Sequence, residues 1–331
     1  MKSLDRKLAN IRAGRYTHND FIIADAKDAD MAFCITAPAP VSDETGRVTP
    51  EFPNRAAYLD AIRAMTRSGL VDIMLTSVSA AEILVGEGLY ADSAVTPAVR
   101  YNDSTDVWYP RGGRYGLEPS RPFRSARLSR LDKIAELGLY SVTFSNEITR
   151  DLATLEAYSD FRDEAAERGL RHFLEVFNPA FDIGVAADAM GHFIGDTIIR
   201  ILAGVVAAEQ PVFLKIVYNG RRAMEELTAY DPERLVVGIL GGTKGTTRDT
   251  FELLSRAESA GARVALFGRK INLAQSPIDL VKLLRAIVAR ELSAEEAVKA
   301  YHGALQAKGI IPALPLQKDL EISDPILRAE R

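Results

Sequence analysis

The sequence predicts a single (β/α)8 barrel, the TIM-barrel fold, within the α/β class. Eight short apolar runs alternate with amphipathic helical patterns along the 331 residues. This alternation is typical of parallel β-α-β units, whose strands are covered on both faces and therefore read as nearly continuous apolar segments. Glycine follows several of the helical patterns, as expected where a helix ends before the next strand. The length also suits one barrel with insertions.

The predicted elements alternate in the order that a barrel requires. The strands are expected at residues 21–25, 71–77, 95–101, 139–145, 172–177, 212–218, 235–240 and 263–267. The helices are expected at residues 55–66, 80–85, 129–137, 152–168, 248–260 and 277–289. A capping box at Ser293 and Glu296 predicts one further helix, which would end near residue 308. We expect one domain over residues 1–331, with the barrel at about 20–290 and a C-terminal helix and tail at 293–331.

Two long segments interrupt the regular pattern. Residues 37–54 follow the first predicted strand, residues 102–123 follow the third, and both are rich in proline, glycine and charge. Loops of this length are usually functional, and loops after barrel strands lie on the catalytic face. The second contains Trp108, Tyr109 and Tyr115, which we interpret either as part of an active-site lid or as an oligomer contact.

Composition and charge exclude several classes of function. The formal net charge is -4 and no long Lys/Arg run occurs, so nothing predicts nucleic-acid binding. No apolar stretch approaches the roughly 20 residues that cross a bilayer. The charged N-terminus lacks the apolar run of a secretory signal. We therefore predict a cytoplasmic protein with no membrane partner.

Cysteine and histidine give no sign of a metal or nucleophile site. The one cysteine, Cys34, excludes an internal disulfide and is interpreted as a small buried hydrophobe. No metal-ligand spacing joins the four histidines, which are His18, His172, His192 and His302. Asp25, Asp28 and Asp30 could hold a hard cation, but without histidine they make a poor transition-metal site. No metal is predicted.

Lys215 is the residue that carries most of the chemistry. It lies inside the apolar run of the sixth predicted strand. Burying an ammonium is unfavourable unless the group is paired or neutralised, and a neutral amine can attack a ketone. Lys215 is therefore a candidate Schiff-base lysine. The alternative is a strand-end lysine that extends to solvent or pairs with an inward carboxylate.

Glycine-rich turns follow the last two predicted strands, and each carries a cation. Gly241 and Gly242 precede Lys244, and Gly268 precedes Arg269. In barrels these two loops commonly form the phosphate site, because glycine lets backbone N–H groups approach the anion. The alternative is a pair of ordinary turns with surface cations.

These segments resemble the archaeal-type class I fructose-bisphosphate aldolases. In that group a Schiff-base strand reads Lys-x-x-Tyr-x-Gly, and residues 215–220 read KIVYNG. The group also has a Gly-Gly-x-Lys turn and a Gly-Arg-Asn-Ile turn, and residues 241–244 and 268–271 are similar to them, with Lys270 in place of Asn. The group includes tagatose-bisphosphate and sulfofructose-phosphate aldolases and a related thiolase. The match is specific only over about residues 212–277.

The resemblance implies roles for further residues. Glu175, on the strand before Lys215, is the expected general acid/base, with a salt-bridge partner of Lys215 as the alternative. Asp25 is expected to orient Lys215 or to bind a substrate hydroxyl. Tyr218 is either a second proton donor or a core aromatic. The further expected substrate contacts are Lys27, Arg100 and Asn102.

The resemblance implies a metal-independent aldehyde-lyase that needs no cofactor besides the covalent Schiff base. Its substrate would be a phosphorylated ketose or an analogue, cleaved to dihydroxyacetone phosphate and an aldehyde. Transaldolase- or thiolase-like carbon transfer is one alternative, and a non-catalytic sugar-phosphate-binding barrel is another. The resemblance also implies a homo-oligomer. The two long loops carry no motif that identifies the rest of the substrate.

Overall fold

Eight parallel strands form a closed barrel, in which each strand pairs with the next and the first pairs with the last. The computed structural model describes residues 1–330. The strands are β1 (Ile22–Lys27), β2 (Ile73–Thr76), β3 (Thr96–Arg100), β4 (Leu137–Thr143), β5 (Arg171–Phe177), β6 (Leu214–Ile216), β7 (Val237–Leu240) and β8 (Val264–Phe267). All eight predicted strands are therefore present, and the predicted TIM-barrel fold is confirmed.

Thirteen α-helices occur among the described residues. The N-terminal half of the chain contains α1 (Ser3–Arg12), α2 (Ala29–Phe33), α3 (Arg55–Ser68), α4 (Val78–Gly86) and α5 (Ile148–Glu167). The C-terminal half contains α6 (Met190–Leu202), α7 (Arg221–Tyr230), α8 (Thr247–Ser259), α9 (Arg269–Asn272), α10 (Pro277–Val288), α11 (Ala294–Ala307), α12 (Leu316–Asp319) and α13 (Pro325–Ala329). The predicted capping box of α11 is present between Ser293 and Glu296. None of the helices is both long and apolar enough to cross a membrane.

The helix predicted at residues 129–137 is wrong. A 3-10 turn occupies Leu128–Arg130, and β4 already begins at Leu137. Gly138 is thus not a helix-terminating residue but a strand residue paired with His172. A Cβ atom there would lie 2.3 Å from the ring of Tyr101, so glycine is required by close packing.

This packing gives a stability prediction with a matched control. Gly138→Ala is expected to lower the free energy of unfolding by about 1–3 kcal/mol, because it overpacks a buried ring. Gly303→Ala, inside α11 with open space around the added carbon, is expected to raise it by about 0.5–1 kcal/mol. Urea unfolding of both variants checks this, and equal effects would contradict the packing role of Gly138.

Two apolar layers make up the core. Alternate strand residues point into the barrel, and the intervening ones pack against the surrounding helices. Helix α1, which was not predicted, closes the N-terminal end of the barrel with Leu4, Leu8 and Ile11. The functional side chains are thereby confined to the opposite, C-terminal end of the strands.

A buried ion-pair cluster fixes α1 to the barrel. The Lys7 ammonium lies 2.9 Å from the Asp72 carboxylate, which also receives the Arg285 guanidinium at 2.6 Å. Burial lowers the pKa of Lys7 to about 8, although Asp72 opposes this shift. Burial also acts to raise the pKa of Asp72, but Arg285 and Lys7 outweigh it and hold that pKa below its usual value.

Asp72→Asn is expected to lower the free energy of unfolding by about 3–5 kcal/mol, because it leaves a buried ammonium without its carboxylate. The control is Asp60→Asn, which breaks an exposed pair with Arg63 and should change stability by less than about 1 kcal/mol. Chemical denaturation near neutral pH measures both. If the two variants are equally stable, the cluster does not fix α1.

Candidate active site

The site is built from side chains that point inward at the C-terminal end of β3, β5 and β6. Glu175 and Lys215 are direct partners across the parallel β5–β6 ladder. Their side chains therefore project from the same face of neighbouring strands, and the Lys215 Nζ lies 2.6 Å from Glu175 Oε1. Both groups are buried, with exposures of 5% and 1%. The structure thus brings together the predicted nucleophile and the predicted acid/base.

Arg100 joins this pair to two further carboxylates. Its Nε lies 2.6 Å from Asp28 Oδ2, its Nη1 lies 3.3 Å from Asp103 Oδ1, and its Nη2 lies 3.4 Å from Glu175 Oε2. The predicted substrate contact Arg100 therefore has its guanidinium occupied by protein carboxylates. The cluster of Asp28, Arg100, Asp103, Glu175 and Lys215 is hereafter the buried charge cluster.

Three carboxylates and two cations leave the buried charge cluster with one surplus negative charge. Burial raises the pKa of Asp103 to about 7, despite the opposing effect of Arg100. Burial also acts to raise the pKa of Asp28, but Arg100 and then Lys215 outweigh it and hold that pKa below its usual value. Asp103 is thus the carboxyl in the cluster best suited to carry a proton near neutral pH.

Asp103 should make stability depend on pH in a defined direction. Its pKa is higher in the folded protein than in the unfolded chain, so the folded state binds the extra proton between about pH 4 and pH 7. The contribution of Asp103 to the free energy of unfolding is therefore fully present below about pH 4. It is lost as the pH rises to about 7, and it amounts to at most about 4 kcal/mol. The free energy of unfolding of Asp103→Asn, measured by denaturation at several pH values, should fall less steeply with rising pH than that of the parent protein. An unchanged slope would contradict this.

Asp25 does not lie beside Lys215, so its predicted orienting position is wrong. Ile22, Ala24 and Ala26 face the barrel interior, whereas Ile23 faces the helices. Asp25 shares the outward face and, with Lys27, lines a pocket between β1 and the helices. Lys27 likewise lies outside the barrel mouth, where its Nζ donates to Asn272 Oδ1 at 2.7 Å.

Asp28, three residues later in the chain, takes the inward position near Lys215. From the sequence, Asp28 was predicted only as part of a possible cation cluster with Asp25 and Asp30. That cluster does not form, because Asp28 pairs with Arg100 and Asp30 accepts a hydrogen bond from Ser77 Oγ at 2.6 Å. Among residues 1–330, no three His, Cys, Asp or Glu side chains are arranged to hold a metal ion.

Tyr218 lies outside the barrel interior, whereas Asn102 lies next to the buried charge cluster. Tyr218 packs between the barrel and its helices, and its hydroxyl donates to Glu330 at 3.0 Å. Burial, with Glu330 adding to it, raises the pKa of Tyr218 above its usual value. The Asn102 side chain donates to the Ser141 carbonyl at 2.8 Å and accepts from the Ser141 amide at 2.6 Å. Tyr218 therefore faces the helices and not the barrel interior. Asn102 binds Ser141, which is the ladder partner of Glu175 and whose hydroxyl accepts from Arg100 Nη1 at 3.2 Å.

The predicted phosphate turns lie side by side after β7 and β8. Lys270 bridges them, because its Nζ donates to the Lys244 carbonyl at 3.2 Å. Gly241 makes room for this bridge, since a Cβ atom there would lie 3.3 Å from Lys270 Cδ. Gly242 has a φ of +63°, a left-handed backbone conformation that favours glycine. A Cβ atom on Gly268 would lie 3.1 Å from the Ala26 carbonyl oxygen, so this position also has little room for a side chain.

Three cations at these turns have no carboxylate within ion-pair distance among the described residues. They are Lys244, Arg269 and Lys270. Burial lowers the pKa of Lys270 to about 8, and it also lowers the pKa values of Lys244 and Arg269. Within residues 1–330, the backbone amides from Gly241 to Lys244 have no hydrogen-bond partner. Unpaired cations and amides in adjacent turns make a suitable surface for an anion. In the sequence, Lys270 stands out only because it replaces the Asn of the family turn.

The segment 102–123 closes over the barrel mouth. It contains a short antiparallel pair, Asp103–Ser104 with Pro122–Phe123. Trp108 stacks on Tyr115 with ring centroids 4.8 Å apart. Tyr109 stacks on Phe33 of α2, whose ring also lies under the Arg269 guanidinium. The loops after β1, β3 and β8 therefore contact one another above the site.

Comparison with solved structures assigns the fold type. An archaeal fructose 1,6-bisphosphate aldolase superposes with a TM-score of 0.62 over 87% of this chain and 99% of that chain, at 15% identity. The fold is that of the archaeal fructose-bisphosphate aldolases. The fructose-bisphosphate aldolase from Slackia heliotrinireducens has a TM-score of 0.61, with 92% of each chain covered and 13% identity. The family resemblance predicted from the sequence is thus confirmed at the level of the fold.

Other comparisons bear on the chemistry of the neighbours. A further solved structure of an archaeal fructose-1,6-bisphosphate aldolase has a TM-score of 0.61 and 14% identity over 86% of this chain and 99% of that chain. Its catalytic lysine is covalently bound to the carbinolamine intermediate of the substrate. A curated enzyme, the 3-hydroxy-5-phosphonooxypentane-2,4-dione thiolase of Enterobacter sp. (strain 638), is 30% identical over 108 residues. That match spans 33% of this chain and 36% of the thiolase, so it covers about a third of either protein. No protein-family profile matches the chain.

Proposed function

We propose that this protein is a class I aldolase that cleaves a phosphorylated ketose, or a close analogue, through a Schiff base on Lys215. The observation that carries the proposal is the 2.6 Å contact between Lys215 Nζ and Glu175 Oε1 at the catalytic end of an aldolase-type barrel. A carboxylate at this distance can accept a proton from the ammonium, and the neutral amine that results can attack a carbonyl carbon.

The proposed reaction uses the groups of the buried charge cluster. The Lys215 amine adds to the ketose carbonyl, and loss of water gives an iminium ion. Glu175 then removes the proton of the C4 hydroxyl, the C3–C4 bond breaks, and its electron pair moves into the iminium to give an enamine and an aldehyde. Protonation of the enamine carbon and hydrolysis release dihydroxyacetone phosphate and the free amine. Asp28 and Arg100 act as positioning residues, because Asp28 holds Arg100 and Arg100 holds Glu175.

The turns after β7 and β8 are proposed to bind the substrate phosphate. Support comes from the unpaired cations Lys244, Arg269 and Lys270 and from the open amides of Gly241 to Lys244. A dianionic phosphate would accept hydrogen bonds from several of these donors at once, and charge-assisted hydrogen bonds are about twice as strong as neutral ones.

Thiolase-like carbon transfer is the second candidate, because the curated relative is a thiolase. A Schiff base on Lys215 would serve either reaction, so the two differ in what accepts the departing carbon fragment. Product analysis separates them. The protein would be incubated with ketose bisphosphates, ketose 1-phosphates and sulfonated ketose phosphates, and separately with a phosphorylated β-diketone and coenzyme A. Release of dihydroxyacetone phosphate from any ketose supports the aldolase, whereas turnover only with coenzyme A would overturn it.

The single-domain organisation, the cytoplasmic location and the homo-oligomeric assembly stay predictions.

A further inference from the structure

A second pocket lies on the outer side of β1, behind the buried charge cluster. It has a volume of about 380 Å³ and lies between β1, α3 and α10, with part of the loop 37–54 at its rim. Pockets of roughly 300–1,000 Å³ are the usual size for small-molecule ligands. Lys215 and Glu175 do not line this pocket, so it is separate from the proposed catalytic site.

The inner end of this pocket contains a carboxylate that lacks a hydrogen bond. Asp25 is wholly buried, and neither of its carboxylate oxygens has a hydrogen-bond partner among residues 1–330. The nearest cation is the Lys27 ammonium, 3.6 Å from Asp25 Oδ2. Buried polar groups are nearly always satisfied, and leaving one unsatisfied costs about 1–3 kcal/mol or more for a charged group.

The other polar groups at this end already have partners. Lys27 Nζ donates to Asn272 Oδ1 at 2.7 Å, and the Asn272 amide donates to the Ala37 carbonyl at 2.9 Å. The Tyr58 hydroxyl donates to the Lys27 carbonyl at 2.8 Å. Beside its 3.6 Å ion pair with Lys27, the Asp25 carboxylate therefore keeps free acceptor capacity at this end of the pocket.

The walls of the pocket are apolar. Ala57, Ala61 and Ala64 lie on one face of α3, where their small side chains leave space next to β1. Pro277 and Ile278, at the start of α10, face them. The pocket thus combines a non-polar body with one acceptor at its inner end.

We propose that this pocket binds a small, uncharged, apolar molecule that ends in a hydroxyl group, and that the hydroxyl donates to Asp25. An uncharged occupant is required because Lys27 already balances the charge of Asp25. A cationic group would meet the Lys27 ammonium, and an anionic group would meet the carboxylate. The proposal does not depend on the aldolase function.

Benzyl alcohol and toluene form a matched pair of probes, since they have similar size and differ by the hydroxyl. Ligand-observed NMR titration should show that benzyl alcohol binds the full-length protein at least about tenfold more tightly than toluene, as one hydrogen bond to a charged group allows. Ala61→Phe, which fills the pocket, should weaken binding of benzyl alcohol by about tenfold or more. Ala56→Phe, on the same helix but outside the pocket lining, should leave it unchanged.

Asp25→Leu tests the polar end separately, because it should reduce the preference for benzyl alcohol over toluene to less than about twofold. If Asp25→Leu does not fold, two comparisons still test the proposal. Binding to Ala61→Phe compared with Ala56→Phe shows where the probe binds. Binding of benzyl alcohol compared with toluene on the parent protein shows whether the pocket has a hydrogen-bond acceptor. Equal binding of both probes to the parent protein would overturn the proposal, as would absence of binding or full binding by Ala61→Phe.

Discussion

Lys215→Met is expected to lower kcat for ketose phosphate cleavage by about 10⁴-fold or more, because the variant has no amine that can form the Schiff base. Methionine has a similar length and is apolar, so the barrel interior stays filled. Glu175 keeps Arg100 as a partner at 3.4 Å. The variant should therefore fold, and dihydroxyacetone phosphate release measures the loss.

The matched control is Lys282→Met, which removes an exposed lysine of α10 that lies 3.9 Å from Asp279. This control should keep the parent kcat within about twofold, since exposed ion pairs contribute little to stability. If Lys215→Met retains more than about a tenth of the activity while the control is normal, Lys215 is not the nucleophile.

Glu175→Gln is expected to lower kcat by about 10²–10⁴-fold, which is the usual contribution of a positioned acid/base. A carboxamide keeps the shape of the side chain but cannot accept the proton of the C4 hydroxyl. The amine of Lys215 remains, so the variant should still form a covalent adduct with a ketone substrate, although more slowly than the parent because Glu175 no longer accepts the ammonium proton. Steady-state kinetics and adduct formation should therefore separate the two steps.

Glu164→Gln is the control, because it breaks a partly exposed pair with Arg124 without touching the barrel interior. A purely structural Glu175 would give a different pattern. In that case Glu175→Gln would lose folding stability and activity together, and a correctly folded fraction would have the parent kcat.

The barrel could be predicted from sequence because its strands are short apolar runs separated by helices. The error at residues 129–137 has a physical cause. Gly138 precedes an apolar run and resembles a helix-terminating glycine, but in the fold it makes room for the ring of Tyr101. That ring comes from the residue just after β3, and no local pattern in the sequence could reveal it.

The direction of the acidic side chains at the C-terminal end of β1 could not be predicted. In a parallel barrel both faces of a strand are buried, so apolar residues occupy both, and the alternation that identifies an inner face is lost. The prediction therefore placed Asp25 near Lys215 and considered Asp28 only as part of a cation cluster. Ala24 and Ala26 point into the barrel. Because inward positions alternate along a strand, the next one is Asp28 and not Asp25.

The Lys215–Glu175 contact could be predicted because both residues lie within adjacent strands. The remaining contacts of the site join distant parts of the chain. Arg100 and Glu175 are 75 residues apart, and Tyr218 and Glu330 are 112 residues apart. Such pairs depend on the strand register and on the path of the C-terminal tail, which composition and periodicity do not encode.

The most direct test of the central claim is covalent trapping at Lys215. The protein would be treated with sodium borohydride in the presence of fructose 1,6-bisphosphate or dihydroxyacetone phosphate, digested, and mapped by mass spectrometry. We expect a stable secondary amine on the peptide that contains Lys215. It should form only when ketone and borohydride are both present, and it should be absent from Lys215→Met. An adduct on another lysine, or no adduct with any phosphorylated ketone that the protein turns over, would contradict the claim.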